Sequence, residues 1–318
     1  MRKILALVAV AGLLLAACAE DEPTIGEETG ATGVTAETGA TGPTAVATAA
    51  DCTQQSADAL IADGTLTIGT DNPAYPPYFQ GGTSKDSQWK INDPNTGEGF
   101  ESAVGYEIAS RMGLASVEWV VVPFKAAYAP GPKAFDIDLN QVSYSEKRAE
   151  AVDFSESYWD ANQALVVVKG TPIADATSLE ELRQYTLASQ LGTTSIDLID
   201  DYIQTEGEPA VYQTLADATA ALNARQVDGL VVDYPTALYM ADPYVQEVKN
   251  SIVLAQFPTE AAGGIPEYFG AVLAKDSPLT GCVDLALQEM KADGTLEAIT
   301  TEWLSEKTNV GAVPVFEA

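Results

Sequence analysis

Six short runs of β-branched and apolar residues are separated by helical patterns, and this alternation restricts the fold more than any other feature of the chain. The runs are TLTIGT (65–70), VEWVVV (117–122), FDIDLNQV (135–142), ALVVVKG (164–170), YTLASQ (185–190) and GLVVDY (229–234). Between or after them lie ESAVGYEIASRMG (101–113), SEKRAEAV (145–152), SLEELRQY (178–185), SIDLIDDYIQ (195–204) and DATAALNARQ (217–226). Strands alternating with helices on this scale predict an α/β fold with largely parallel sheets. In such sheets ligands settle at the carboxyl ends of the strands, where the following helices present free N–H groups. The strand ends are therefore the place to look for function.

Composition narrows the field further. The 318 residues leave room for about two domains of roughly 100 to 150 residues each. With 16 Lys+Arg against 46 Asp+Glu the net charge is −30, so nucleic acid and anionic surfaces would repel the molecule before any contact formed. There is no His, which removes the commonest general base, the commonest zinc ligand and every nucleophile–His pair. No cofactor, metal or catalytic residue is expected.

The N-terminus carries Arg2 and Lys3, then an apolar run from Ile4 to Ala17, shorter than the ~20 residues of a spanning helix. Residues 1–17 read as a secretory signal. Leu15-Ala16-Ala17-Cys18 resembles the lipobox of bacterial lipoproteins, which implies that Cys18 becomes a lipid-bearing N-terminus and anchors the chain to the outer face of the cell membrane. Residues 18–50 are mostly Gly, Thr, Ala and Glu, with ETGATG occurring twice. They have little to bury and predict a disordered tether with a reach of about 30 Å. Cys52 and Cys282 remain, an even pair in an exported chain, and are expected to form a disulfide. It would fasten the start of the folded region to its C-terminal portion, contributing about 3 to 5 kcal/mol in the entropic view.

Four strand ends offer polar groups. In FDIDLNQVSYSEKRAEAVDFS (135–155), Phe135, Ile137 and Leu139 alternate with Asp136, Asp138 and Asn140 as a strand. Ser143 to Glu146 has capping-box spacing, so Arg148 falls in the first turn of a helix, where a cation opposes the dipole unless an anion is near. That position suits a carboxylate held through two parallel hydrogen bonds; a surface pairing with Glu150 or Asp153 is the alternative. In LASQLGTTSIDLI (187–199), Thr193, Thr194 and Ser195 offer hydroxyls at a helix start, for a ligand or as ordinary caps. Asp233 follows the strand Gly229–Val232, and can cap the next helix or receive an ammonium. In TIGTDNPAYPPYF (67–79), Asp71 and Tyr75 stand in a Pro-rich turn, with Tyr78 and Phe79 read as satellite core. A carboxylate clamp, a hydroxyl-lined turn, an acid and a ring together suit a ligand with both a carboxylate and an ammonium.

From about residue 51 to residue 304 these motifs, in this order, resemble the amino-acid-binding proteins of ABC uptake transporters, the family 3 solute-binding proteins. GFESAVGYEIASRMG (99–113) and LALQEMKADGTLEAITTEWL (285–304) are also similar to family motifs. The resemblance implies that Arg148 holds the ligand carboxylate with Ser143 assisting, that Thr194 lines the turn, that Asp233 takes the ammonium and that Tyr75 stacks. Asp71 and Gln141 complete the expected pocket. It further implies a two-lobe periplasmic-binding-protein fold with two crossover hinge segments, near Asn162 and Gly264, closing on an amino acid for an ABC permease. Lobe 1 is expected at 51–162 and 266–318, lobe 2 at 163–265, and the molecule as a monomer. Asn140, Gln141, Ser195, Tyr144 and GGTSKDSQWKINDPNTGEG (81–99) depart from the family pattern near the side-chain pocket. Two alternatives share the fold: a ligand-sensing ectodomain, or a dehydratase using Asp136, Asp138 or a Glu as general acid.

Overall fold

The computed structural model describes residues 48–160, 162–242, 245, 247–258, 267–305 and 313–317. Cys18, the signal and most of the tether, and the expected hinge position Gly264, lie outside these residues. The first described residue is Thr48, before the expected boundary at residue 51, and it is already part of the folded body. Thr48 caps the helix Ala49–Gln55 in a capping box with Asp51, which gives the chain a defined start inside what composition alone marks as tether.

Among the described residues, ten strands form two five-stranded sheets. The first contains β1 (Thr65–Thr70), β2 (Ser116–Val121), β3 (Ile137–Asp138), β4 (Val152–Asp160) and β10 (Tyr268–Ala274), in the order β2-β1-β3-β10-β4. The second contains β5 (Gln163–Val168), β6 (Leu187–Gln190), β7 (Ala210–Tyr212), β8 (Gly229–Asp233) and β9 (Ser251–Phe257), in the order β7-β6-β8-β5-β9. Each sheet has three adjacent parallel strands, β2-β1-β3 and β7-β6-β8, then one reversed strand, β10 or β5, and an outer strand, β4 or β9, paired antiparallel to it. Four of the five strands in each sheet thus run the same way, as expected of largely parallel sheets, while two of the four pairings are antiparallel. β5 and β10 arrive from the other lobe and run against the parallel set, while β4 and β9, which lead into them, pair antiparallel with them and run with the set.

Local sequence explains the layers. β5 is buried along its whole length, as expected of a near-continuous apolar run in an interior strand of a covered sheet. Apolar clusters cover both faces of its sheet, with Val166, Leu222 and Leu230 on one side and Leu165, Leu187 and Phe257 on the other. In the first lobe Leu66, Ile68, Phe100, Ile108 and Leu287 join one core, each such side chain contributing about 1.5 to 3 kcal/mol by burial. Cys52 and Cys282 are joined, tying the helix Ala49–Gln55 to the helix Thr280–Ala292 within this lobe.

The chain end departs from the expected assignment of 266–318 to lobe 1. Val315 bridges Gln256 on β9, Gln256 N donates to Pro314 O at 2.8 Å, and Phe316 N donates to Gln256 O at 2.9 Å. Phe316 is buried in the second lobe's core. Residues 313–317 therefore pack with lobe 2, in addition to the two strand crossings that lead from β4 to β5 and from β9 to β10. The run VPVF (313–316) is too short to carry a sign of which sheet edge it will meet.

Candidate functional site

The run 135–142 is shorter as a strand than its period suggests. Only Ile137 and Asp138 pair in the sheet, and Asp136, Asp138 and Asn140 are as buried as their apolar neighbours. Asp136 accepts from Ile61 N at 2.9 Å and Thr67 N at 2.8 Å, a backbone staple. Neither Asp136 nor Asp138 lines the cleft described below, so the two acids named for the dehydratase alternative have no access to a ligand there.

The turn that follows corrects the cap. Ser145, not Ser143, receives the N–H of Arg148, at 3.2 Å, and the helix Glu146–Ala149 is a single turn. So short a helix has little dipole, and burial is the stronger signal: Arg148 is 7% exposed. Its Nη1 donates to Ser143 O and its Nη2 to Gly192 O at 2.8 Å. The guanidinium lies 4.5 Å from the Tyr128 ring centroid and 5.7 Å from that of Phe124, both favourable cation–π distances. It forms no ion pair with a carboxylate among the described residues; Asp153, the alternative surface partner, pairs with Lys275 at 3.3 Å. Burial lowers the guanidinium pKa, while Tyr128, Glu267 and Asp233 act the other way. A guanidinium has five N–H donors, and two carbonyls leave donors for an anion.

On the facing lobe, Asp233 sits at the N-cap of the helix Tyr234–Ala241, yet its side chain makes no cap hydrogen bond. Burial, reinforced by Glu267, pushes its carboxyl well above the usual range, and Arg148 opposes the rise. Thr194 begins a helical turn after β6; its Oγ1 donates to Glu267 and accepts from Gln163 Nε2 at 3.1 Å. Gln163 Nε2 also donates to Glu267 Oε2 at 2.7 Å. Since Gln163 opens β5 and Glu267 precedes β10, this trio joins both strand crossings to the cavity-lining turn.

Asp71, Tyr75, Gln141, Ser143, Arg148, Thr194 and Asp233 all line one cavity of about 290 Å³ between the lobes. They do not stand equally free. The Gln141 side-chain amide and backbone N–H, the latter at 2.7 Å, both donate to Glu101, and Thr194 is held as described. Two more lining residues, Thr70 and Asn140, carry buried polar atoms, Oγ1 and Nδ2, without a partner among the described residues. Buried polar atoms are seldom left so, which marks the cavity as a place for polar groups. The lobes touch across it: Tyr128 OH donates to Gly192 O at 3.1 Å and Thr236 Oγ1 to Tyr78 OH at 3.2 Å. At Gly192 (φ +87°) a Cβ would stand 2.7 Å from the Tyr128 hydroxyl, so this turn needs glycine both for its conformation and for the approach.

Residues 66–306 match the bacterial extracellular solute-binding proteins, family 3. The chain belongs to that family. It is 30% identical to the ABC transporter glutamine-binding protein GlnH of Bacillus subtilis over 222 residues, 68% of this chain and 77% of that protein. It is 26% identical to the L-cystine-binding protein TcyJ of Escherichia coli over 250 residues, 76% of this chain and 82% of that protein. The structure of an ancestral arginine-binding protein bound to glutamine aligns with a TM-score of 0.60 and 28% identity, covering 77% of this chain and all of that one (100%). Within family 3 these named relatives are binding proteins, not enzymes.

Four residues of this solute-binding protein escape sequence reasoning. Glu101 is wholly buried beneath Gln141; an acid in the first turn of a helix is favourable anywhere, so the sequence gives no reason to single it out. Glu267 and Gln163 act at the crossings, where no periodic pattern exists. Lys90 lines the cavity from the aperiodic segment 81–99, whose only legible signal is its departure from the family pattern. Tyr78 and Phe79 are buried as expected, though Tyr78 also meets the opposite lobe through Thr236.

Proposed function

We propose that this family 3 protein captures one amino acid between its lobes and presents it to the permease of an ABC transporter. The reading is carried by two charged groups on one cavity that lack a charged or donor side-chain partner among the described residues: buried Arg148 without an anion, and half-buried Asp233 without a donor from another side chain. A zwitterion answers both. Its carboxylate accepts from the Arg148 donors left over by Ser143 and Gly192, and its ammonium donates to Asp233. Tyr75 supplies a ring, Ser143 and Thr194 flank the α-carbon end, and Gln141 and Asp71 face the rest. The relatives named for glutamine and cystine support an amino acid as the ligand class. In the same reading the protein is a monomer held at the outer face of the membrane by lipid on Cys18, with residues 18–47 as spacer.

Titration calorimetry of Arg148→Ala and Arg148→Lys against the common amino acids tests this. Removing one partner of a desolvated charge pair costs about 2 to 5 kcal/mol, or roughly 30-fold to several thousand-fold in Kd. Arg148→Lys is also poor, because a point charge cannot reproduce a planar grip. Binding by Arg148→Ala within about threefold of wild type would overturn the assignment. Membrane fractionation of Cys18→Ser tests the anchor separately.

A further inference from the structure

The segment 81–99 is stapled to the rim of the cavity. Asn72 Nδ2 donates to Gln88 O at 2.9 Å, and Asn72 Oδ1 accepts from Lys90 N at 3.0 Å. Asn92 Nδ2 donates to Ala74 O at 3.0 Å. Trp89 is 3% exposed within the first lobe's core, so the segment is anchored from below as well. Lys90 is exposed, lines the cavity, and directs Nζ to Asn72 O at 3.4 Å. Its backbone is held at the mouth of the site, which places its ammonium within reach of the cavity.

Among the described residues, four charged side chains line the cavity: Asp71, Lys90, Arg148 and Asp233. They fall into two pairs. Arg148 and Asp233 influence one another, and Lys90 influences Asp71, which is half-buried and accepts Asn72 N at 2.7 Å. If Arg148 and Asp233 take the carboxylate and ammonium, as in the reading above on which this inference rests, Asp71 and Lys90 remain for the ligand's side chain. A side chain with a full charge meets a like charge as well as an opposite one, and like charges brought together are costly. An amide presents an N–H to Asp71 and a carbonyl to Lys90. We infer that Lys90, delivered by the stapled segment 81–99, is a specificity-determining residue that with Asp71 selects an amino acid with an uncharged amide side chain over one with a cationic side chain.

Titration calorimetry of the folded full chain against the common amino acids tests this in wild type, Lys90→Gln, Asp71→Asn and Lys85→Gln. Wild type is expected to bind glutamine or asparagine best. Lys90→Gln leaves Asp71 uncompensated and raises the arginine-to-amide affinity ratio about tenfold, the size of a partly exposed charge effect. Asp71→Asn lowers that ratio. Lys85→Gln makes the same charge change on the same segment away from the cavity and leaves the ratio unchanged. An amide-binding wild type whose ratio moves less than about twofold in Lys90→Gln, or equally in Lys85→Gln, overturns the inference. So does a wild type whose best ligand is not an amide. If wild type binds no amino acid, the proposed function falls and this inference with it.

Discussion

Two acids, the buried Glu101 under the floor of lobe 1 and the half-buried Asp233 at the end of β8 in lobe 2, both have raised pKa values, but their surroundings differ. Glu101 is saturated: Tyr158 OH donates to it at 2.5 Å, and Gln141 donates its backbone N–H and its side-chain amide. Asp233 receives no donor from another side chain among the described residues and faces the cavity. A raised pKa therefore does not distinguish the two acids; the supply of donors does. The saturated acid holds Gln141 at φ +48°, a left-handed conformation that costs a non-glycine residue roughly 1 to 2 kcal/mol. The unsaturated one is left for something the chain does not contain.

The sharpest way to break this contrast is Asp233→Ala. Amino-acid affinity should fall by about 2 to 5 kcal/mol equivalent, while the unliganded melting temperature should hold or rise, because a half-buried acid without a side-chain donor is removed. A large drop in unliganded stability with affinity intact, seen by calorimetry and thermal melts, would make Asp233 structural and end the contrast.

Glu101→Ala should show the mirror pattern. Three donors lose their acceptor, and unsatisfied buried groups cost on the order of 1 kcal/mol or more each, so a loss of about 3 kcal/mol is expected in denaturant unfolding without ligand. Affinity should weaken less than in Asp233→Ala, and only through the misplaced Gln141. An unfolding midpoint equal to wild type would remove the clamp from the account.

The smallest effect is a pH profile. Burial, against the donors of Tyr158 and Gln141, raises Glu101 from 4.5 to about 7. The folded state then holds this proton more tightly than the unfolded one. Stability from this group is full below pH ~4.5, falls as pH rises toward ~7, and is level above, a change of up to about 3 kcal/mol. Asp138 and Asp233, also raised, act in the same direction. Glu101→Gln should flatten part of the wild-type decline between pH 5 and 7. Parallel melting curves for the two proteins would place the titration elsewhere.

Much of the site is legible in the amino-acid sequence. Arg148, Asp233 and Thr194 follow strand ends and open helices, and those transitions leave local marks in the chain. Glu101 leaves none, because its importance comes from Gln141, 40 residues away. The same holds for the fold. β5 and β8 announce themselves as apolar runs, whereas β4, with exposed Glu156 and half-buried Asp153, takes its identity from the partner β10. Which strands run antiparallel depends on where the chain crosses, a property of topology that no short window contains.

The docking of Phe316 on β9 has a practical consequence. Thr48 opens a helix fastened by disulfide to lobe 1, while Glu317 follows a residue buried in lobe 2. The first and last described residues thus ride on opposite halves of the molecule. Donor and acceptor fluorophores attached at these two positions would form a distance gauge across the cleft, reporting ligand-driven changes in lobe separation without a label in the binding cavity.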